Sequence, residues 1–200
     1  EAVSRNGSPA PRVKGRVRAM QGGFSGGTAA SLKETLKTLA KHPSLTPYML
    51  SPFGLTPGFE GPSQPTGMIP EYDDGLGSWA APFIMAAINT KNVHRTNFLL
   101  GHPWGTDVRY DEMVLTSPGE MGKQAAEALA TALKAPFSGG GGPQPGEGPT
   151  KEERENGFYD VLFVGEYPDG ERLLDSGKGD KERGYDSTSK MMAETPLGRG

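Results

Sequence analysis

FYDVLFVGEYPDGERLLDS, which runs from Phe158 to Ser176, carries the clearest signal for the fold class of this chain. Two runs rich in apolar residues flank Pro168-Asp169-Gly170, a tripeptide typical of a β-hairpin turn because its glycine accepts a positive φ. Elsewhere, strand and helix patterns mix without a regular strand–helix–strand repeat. We therefore predict an α+β fold, in which helices pack on a mixed, largely antiparallel sheet and long loops are rich in proline and glycine.

Two further strands are predicted, one over Val13–Met20 and one within DVRYDEMVLT at residues 107–116. In both segments polar and apolar residues alternate, which is typical of a strand with two different faces. In and beside the first strand the polar residues are basic, and we expect them to form one solvated face: Arg12, Lys14, Arg16 and Arg18.

Helices are predicted from apolar stripes and from residues that favour helix starts. One follows a glycine-rich turn, with Thr28 as its N-cap. A second, apolar nearly all round, is predicted from Trp79 to about Lys91 with Ser78 as its N-cap, and its pattern continues to Gly101. Shorter or later helical segments are predicted at Tyr48–Leu50, from Ser117 onward and at Asp186–Glu194.

At 200 residues the chain is expected to form a single domain over 13–195, between a flexible lead-in at 1–12 and a tail at 196–200. Two segments rich in glycine and proline are predicted to be irregular, a long loop over 43–77 and a linker-like loop over 138–150. Asp73 and Asp74 lie in the first of these loops, where we expect them to face water.

Composition excludes several classes of function. A net charge of −3 argues against a nucleic acid as the main partner, and no run of apolar residues is long enough to cross a membrane. The absence of cysteine removes thiolate nucleophiles, disulfides and cysteine metal sites, and the three histidines lack metal-ligand spacing, so no metal site is predicted.

The glycine-rich turn at Gly22–Thr28 does not match a nucleotide-binding motif. Phe24 stands where a dinucleotide fingerprint has its second glycine, and Gly27 stands where a P-loop has its lysine. Two interpretations remain open for the helix start. Its backbone N–H groups, at Gly26, Gly27 and Thr28, suit an anion or a polarised carbonyl. Alternatively, the glycines serve only a tight strand-to-helix turn.

Polar and aromatic residues on the following segments also leave two interpretations open. Asn89, His94, Arg95 and Asn97 form either a substrate site or a set of hydrogen-bonded groups on a partly buried helix. Trp79 and Trp104 are either core residues or walls of a pocket. No catalytic residue can be assigned from the sequence.

Five blocks in the same order resemble the saccharopine dehydrogenase-like oxidoreductases, a group that includes the bacterial trans-acting enoyl reductases. These blocks are KGRVRAMQGGFSGGTAASL, WAAPFIMAAINTKNVHRTNFLLG, RYDEMV, PGEGPTKEERENGFYDVLFVGE and DKERGYDSTSKMMAE, and they fall within Pro11–Glu194. The resemblance implies that this chain is the second, substrate and dimerisation domain of such an enzyme. It also implies that the N-terminal Rossmann domain is absent and that the chain is inactive alone.

The resemblance further implies hydride transfer between NAD(P) and a lipid-like small molecule, with no cofactor expected for this chain alone. The residues implied to face the cleft are Gly26, Gly27, Thr28, Trp79, Asn89, His94 and Arg95. We expect an intracellular, cytoplasmic protein, with a homodimer and association with a membrane or lipid-droplet surface as the implied partners. The alternatives are a non-catalytic interaction or dimerisation module, and a fragment that folds poorly on its own.

Overall fold

The computed structural model describes residues 4–5, 7–22, 26–133, 143–144 and 146–180. Its helices are α1 (Gly26–Lys41), α2 (Thr46–Leu50), α3 (Ala86–Leu99), α4 (Gly119–Leu133) and α5 (Lys151–Glu155), with a 3-10 turn at Pro43–Leu45. Its strands are β1 (Ser4–Arg5), β2 (Ser8–Pro9), β3 (Arg12–Gln21), β4 (Glu71–Asp73), β5 (Ser78–Pro82), β6 (Arg109–Leu115), β7 (Phe158–Glu166) and β8 (Arg172–Gly179).

The described residues form two compact units. The first unit takes its residues from 1–18, 44–136 and 161–176, and it contains α2, α3 and α4. The second takes its residues from 19–43, 137–160 and 177–200, and it contains α1 and α5. The candidate site described below lies wholly within the first unit.

Six strands form one sheet in the order β4-β5-β6-β3-β7-β8, and β1 and β2 form a separate antiparallel pair. β5 is antiparallel to both β4 and β6, whereas β3 runs parallel to β6 with Gly15 opposite Glu112. The sheet is therefore mixed and mostly antiparallel, and helices pack on it. This confirms the predicted α+β class.

Four predicted strands, and the turn that joins two of them, are confirmed. β3 and β6 cover the two alternating segments. The hairpin connects β7 to β8, and its turn is closed by the N–H of Tyr167, which donates to the carbonyl of Glu171 at 3.0 Å. Gly170 takes the expected positive φ, at 86°.

The helix predicted from Trp79 is wrong at its start. Residues 78–82 form β5, a short strand inside the sheet between β4 and β6, and the helix begins only at Ala86. Ala80 and Ala81 are fully buried, so neither face of the strand shows the polar residues that would have indicated alternation. Ser78 begins β5 rather than capping a helix. The predicted end of the helix holds, because Gly101 follows α3 with a φ of 77°.

Other helix boundaries differ in detail. α1 begins at Gly26, so Thr28 lies inside its first turn rather than at the N-cap. α4 follows Ser117 as predicted, and α2 contains the short helical turn. α5 was not predicted, although Thr150 and Glu153 form a complete capping box at its start. The predicted helix Asp186–Glu194 lies outside the described residues.

The expected solvated basic face of β3 is wrong for most of its length. Arg16 is completely buried, Lys14 and Arg12 are mostly buried, and only Arg18 is exposed. Asp73, expected to face water, is also buried, while its neighbour Asp74 is exposed. The alternation was correctly assigned to a strand, but charges of opposite sign from other strands cover the basic face.

Candidate functional site

A groove of about 810 Å³ opens in the first unit, along the first half of β6. β5 pairs with β6 only over Met113–Leu115, so the preceding residues of β6 lack a strand partner on that side. The segment 60–68, rich in proline and glycine, lies there instead. The groove is lined by residues of α2 and its end, of this segment, of the start of α3 and of β6: Met49, Leu50, Pro52, Phe53, residues 60–68, Ala86, Ala87, Thr90, Lys91, Tyr110, Asp111 and Glu112.

Gln64 holds the wall of the groove against β6. Its side-chain amide donates to the carbonyl of Val108 at 3.1 Å, and its side-chain oxygen accepts the N–H of Tyr110 at 3.0 Å. The side chain therefore replaces the backbone pairing that a neighbouring strand would provide. Gly67 completes the wall with a φ of 58°, a conformation that favours glycine.

Phe53 connects the wall of the groove to a cluster of aromatic residues behind it. Phe53 is buried, lines the groove and packs on the imidazole of His94, with ring centroids 4.6 Å apart. Phe59 meets Phe53 edge-on and packs against His102 at 4.4 Å. The hydroxyl of Thr56 donates to the carbonyls of Phe53 and Phe59, which fixes the loop that carries both rings.

His94 backs this wall as a neutral group. It is 3 % exposed, and its Nε2 has no hydrogen-bond partner among the described residues. Burial lowers the pKa of His94 to about 4, because the protein interior disfavours the charged imidazolium. At neutral pH the ring therefore acts as an apolar packing surface behind Phe53.

Glu112 forms the polar floor of the groove. The hydroxyl of Tyr110 donates to its Oε1 at 2.8 Å, and the side-chain amide of Asn89 donates to its Oε2 at 2.7 Å. Gly15 on the adjacent strand leaves room for this pair, because a Cβ there would come within 2.9 Å of the Glu112 Cγ and 3.0 Å of the Tyr110 hydroxyl. Among the described residues, no lysine or arginine lies within ion-pairing distance of Glu112.

Asp111, the neighbour of Glu112, points into a buried ionic network because side chains alternate along a strand. Arg16 donates to its Oδ2 at 2.9 Å, and Arg12 forms a second ion pair with it. Arg16 also reaches Glu71 at 3.3 Å. The rest of the network joins Lys14 to Glu166 at 2.8 Å and to Asp73 at 3.4 Å. Asp111 is therefore charge-compensated, whereas Glu112 is held only by neutral donors.

Comparison with known proteins finds relatives that are named trans-acting enoyl reductases. A putative trans-acting enoyl reductase of Mycobacterium tuberculosis is 32% identical over 211 residues, which cover 90% of this chain and 48% of the relative. Trans-acting enoyl reductases of Mycobacterium bovis and Mycobacterium ulcerans are 25% and 26% identical, each covering 86% of this chain and 46% of the relative.

The chain is related to the trans-acting enoyl reductases. It spans about half the length of these curated relatives. No protein-family model matches the chain, and no solved structure matches it significantly.

The similarity to trans-acting enoyl reductases covers most of the first unit, where the structure places four of the predicted site residues. Asn89 contacts the floor through Glu112, and His94 backs Phe53. Arg95 is exposed and donates to the carbonyl of Leu55, which ties α3 to the loop beside the groove. Trp79 does not line the groove; it contacts Tyr72 and Lys123.

The other three predicted residues belong to the second unit, and Gly26 is the best defined of them. Its N–H donates to the carbonyl of Glu147 at 2.8 Å, so this donor is already used within the unit. Gly27 and Thr28 are exposed in the first turn of α1. The interpretation of this turn as an anion site remains a prediction.

Sequence reasoning missed Glu112, Tyr110, Phe53 and Gln64 as groove residues. The signal for Glu112 was present, because two adjacent acidic residues inside an apolar strand are costly to bury without partners. For Asn97 the interpretation as a hydrogen-bonded structural group is supported: its side chain accepts the N–H of Trp104 and donates to the carbonyl of Gly105.

The described residues offer neither a metal site nor a membrane-spanning helix. They contain no group of three metal-ligating side chains that could hold an ion. None of their helices combines the length and the apolar character that crossing a bilayer requires.

Proposed function

We propose that this chain is part of an oxidoreductase of the trans-acting enoyl reductase type, and that its groove binds the acyl chain of an enoyl substrate. The observation that carries the proposal is the groove itself, on a chain whose relatives bear that name. Its volume of about 810 Å³ lies in the range of small-molecule sites.

The lining of the groove suits an acyl chain. Leu50 and Met68 lie at exposed positions of the wall, and Phe53 and Pro62 continue the apolar surface inward. Such a surface gains about 25 cal/mol per Å² of apolar area removed from water, so a hydrocarbon chain is a favourable ligand. At the floor, Glu112 has no cationic partner among the described residues, which disfavours an anionic ligand there.

In the reaction proposed for the whole enzyme, NAD(P)H supplies the hydride. The residues that the structure describes do not fit that nucleotide. The turn at Gly22–Thr28 lacks the second glycine of the dinucleotide fingerprint, and the N–H of Gly26 is occupied by Glu147. The groove offers a carboxylate floor where a pyrophosphate would need donors. We therefore assign the nucleotide no site within the described part of the chain, and we limit the proposed role of this chain to binding the substrate.

Calorimetric titration of the chain with a trans-octenoyl thioester of N-acetylcysteamine tests the proposal. Saturable binding at a stoichiometry of about one is expected for a single apolar groove with a polar floor. Titration with the free N-acetylcysteamine thiol serves as the control and is expected to show much weaker binding, since it lacks the acyl chain. Equal binding of the two compounds, or no saturable binding of the thioester, would contradict the proposed role.

A further inference from the structure

Glu112 differs from every other buried acid described in the first unit, because its partners carry no charge. Glu112 is 8 % exposed, and it lines the groove. The other two, Asp111 and Asp73, are paired with basic side chains. A buried carboxylate that lacks a cation bears a desolvation cost that neutral hydrogen bonds offset only in part.

The carboxylate retains unused hydrogen-bonding capacity. An ionised carboxylate offers about four acceptor positions. The structure fills one on Oε1, from the Tyr110 hydroxyl, and one on Oε2, from the Asn89 amide. Because both donors hold the group in place and the group borders the groove, an entering ligand with an N–H or O–H can supply a further hydrogen bond.

The surroundings keep the carboxylate in this orientation. The amide of Asn89 is carried by α3, and the phenol of Tyr110 is buried on the same strand as Glu112. Gly15 leaves the space that the pair occupies. A preorganised acceptor of this kind costs the ligand little reorganisation on binding, which favours a specificity role.

We infer that Glu112 is a specificity-determining residue that accepts a hydrogen bond from an amide N–H of the arm carrying the thioester. The inference rests on the proposed function, since it takes the acyl chain to lie against the apolar wall. It adds a second requirement to the proposed ligand, which is an N–H donor placed beside the apolar acyl chain. A ligand whose arm lacks an N–H donor makes the same apolar contacts with the wall, but it forms no hydrogen bond with the Glu112 carboxylate.

The test compares two ligands that differ by a single group. One is the octanoyl thioester of N-acetylcysteamine, and the other is its ester analogue, in which oxygen replaces the amide N–H. Both are saturated and inert to reduction, so calorimetry measures binding alone. A hydrogen bond to a charged acceptor predicts that the wild-type chain binds the amide about tenfold or more tightly than the ester.

The substitution Glu112→Gln is expected to remove most of this preference, because the neutral side chain is a weaker acceptor. Glu127→Gln is the matched control: Glu127 is exposed on α4 and lies outside the groove, so the preference is expected to persist. Equal affinity of the wild-type chain for amide and ester overturns the inference, whatever the variants do. The same holds if Glu112→Gln folds and retains the full preference.

These outcomes separate the inference from the proposed function. If both ligands bind with equal affinity, the groove binds acyl chains and only the role of Glu112 is wrong. If neither ligand binds, both proposals are wrong. If the chain binds the amide ligand more tightly than the ester but the complete enzyme fails to reduce enoyl thioesters, the role of Glu112 is supported and the assignment as a reductase is wrong.

Discussion

The guanidinium of Arg16 on β3 donates to the carboxylate of Asp111 on β6 at 2.9 Å, and the two side chains are 0% and 3% exposed. The contact is diagonal, because Asp111 lies opposite Lys14 in the parallel register and Arg16 lies opposite Met113. Buried charges of this kind lose their hydration, and their mutual attraction and hydrogen bond offset that desolvation cost.

Removing one partner is therefore expected to destabilise the first unit strongly. Arg16→Ala removes a cation that pairs with Asp111 and Glu71. The free energy of unfolding is therefore expected to fall by about 3–5 kcal/mol. Arg109→Ala is the matched control, since Arg109 is exposed on β6, and a change within about 0.5 kcal/mol is expected. Urea denaturation measures both. Similar midpoints for the two variants would show that the network contributes little.

Gly122 provides a test in which two physical effects predict opposite signs. It lies inside α4, where replacing glycine by alanine normally stabilises a helix by about 1 kcal/mol. A Cβ at this position, however, would overlap the backbone carbonyl of Ser117. We expect Gly122→Ala to destabilise the protein by about 1–3 kcal/mol through overpacking. A higher melting temperature of this variant in thermal denaturation would show that the backbone around Ser117 shifts at little energetic cost.

His94 predicts a dependence of stability on pH. Its folded-state pKa is lowered to about 4 from 6.5, so the unfolded state binds the proton more tightly than the folded state. The stabilisation is complete above about pH 6.5 and is lost as the pH falls towards 4, by up to about 3 kcal/mol. His94→Leu should flatten this part of the profile, whereas His42→Leu should not, since His42 is exposed. Parallel profiles for wild type and His94→Leu would assign the pH dependence to other groups.

The exposed apolar residues on the wall of the groove predict which surface substitutions affect ligand binding. Leu50→Glu and Met68→Glu place a charge on the wall and are expected to weaken binding of the octenoyl thioester at least tenfold, because burying a charge costs more than the chain gains. Leu99→Glu is the control, since Leu99 is similarly exposed but lies outside the groove. Equal weakening by all three variants in calorimetry would indicate an effect of net charge rather than of the groove.

Nicotinamide nucleotides are predicted not to bind this chain alone. Titration with NADPH and NADH, followed by the fluorescence of Trp79 and Trp104, is expected to show only the linear change due to light absorption. Saturable quenching at micromolar nucleotide would contradict this prediction. The conclusion that the turn at Gly22–Thr28 does not fit the nucleotide would then be wrong.

Much of the fold was accessible from the sequence because local signals determine it. The hairpin turn at Gly170 and the alternation in β3 and β6 depend on neighbouring residues, and all were predicted. β5 was not, since a short strand buried on both faces has no polar alternation and cannot be distinguished from a buried helix.

The groove was less accessible, because its residues come from four separated segments. Asn89 and His94 were identified as polar groups on a helix, but their partners Glu112 and Phe53 are set by long-range packing. The burial of Arg16 was missed for the same reason. Periodicity separates the two faces of a strand, but it does not reveal whether a charged face meets water or an acidic neighbour.

The central position of β3 in the sheet has a consequence for biosynthesis. Its two neighbours, β6 and β7, are translated much later, so the strand leaves the ribosome with both of its hydrogen-bonding edges open. An apolar strand in that condition would invite aggregation with other nascent chains. The strand stays hydrated through Arg12, Lys14 and Arg16 until Asp111 and Glu166 have been synthesised. The charges that form ion pairs in the folded sheet therefore also protect the growing chain from aggregation.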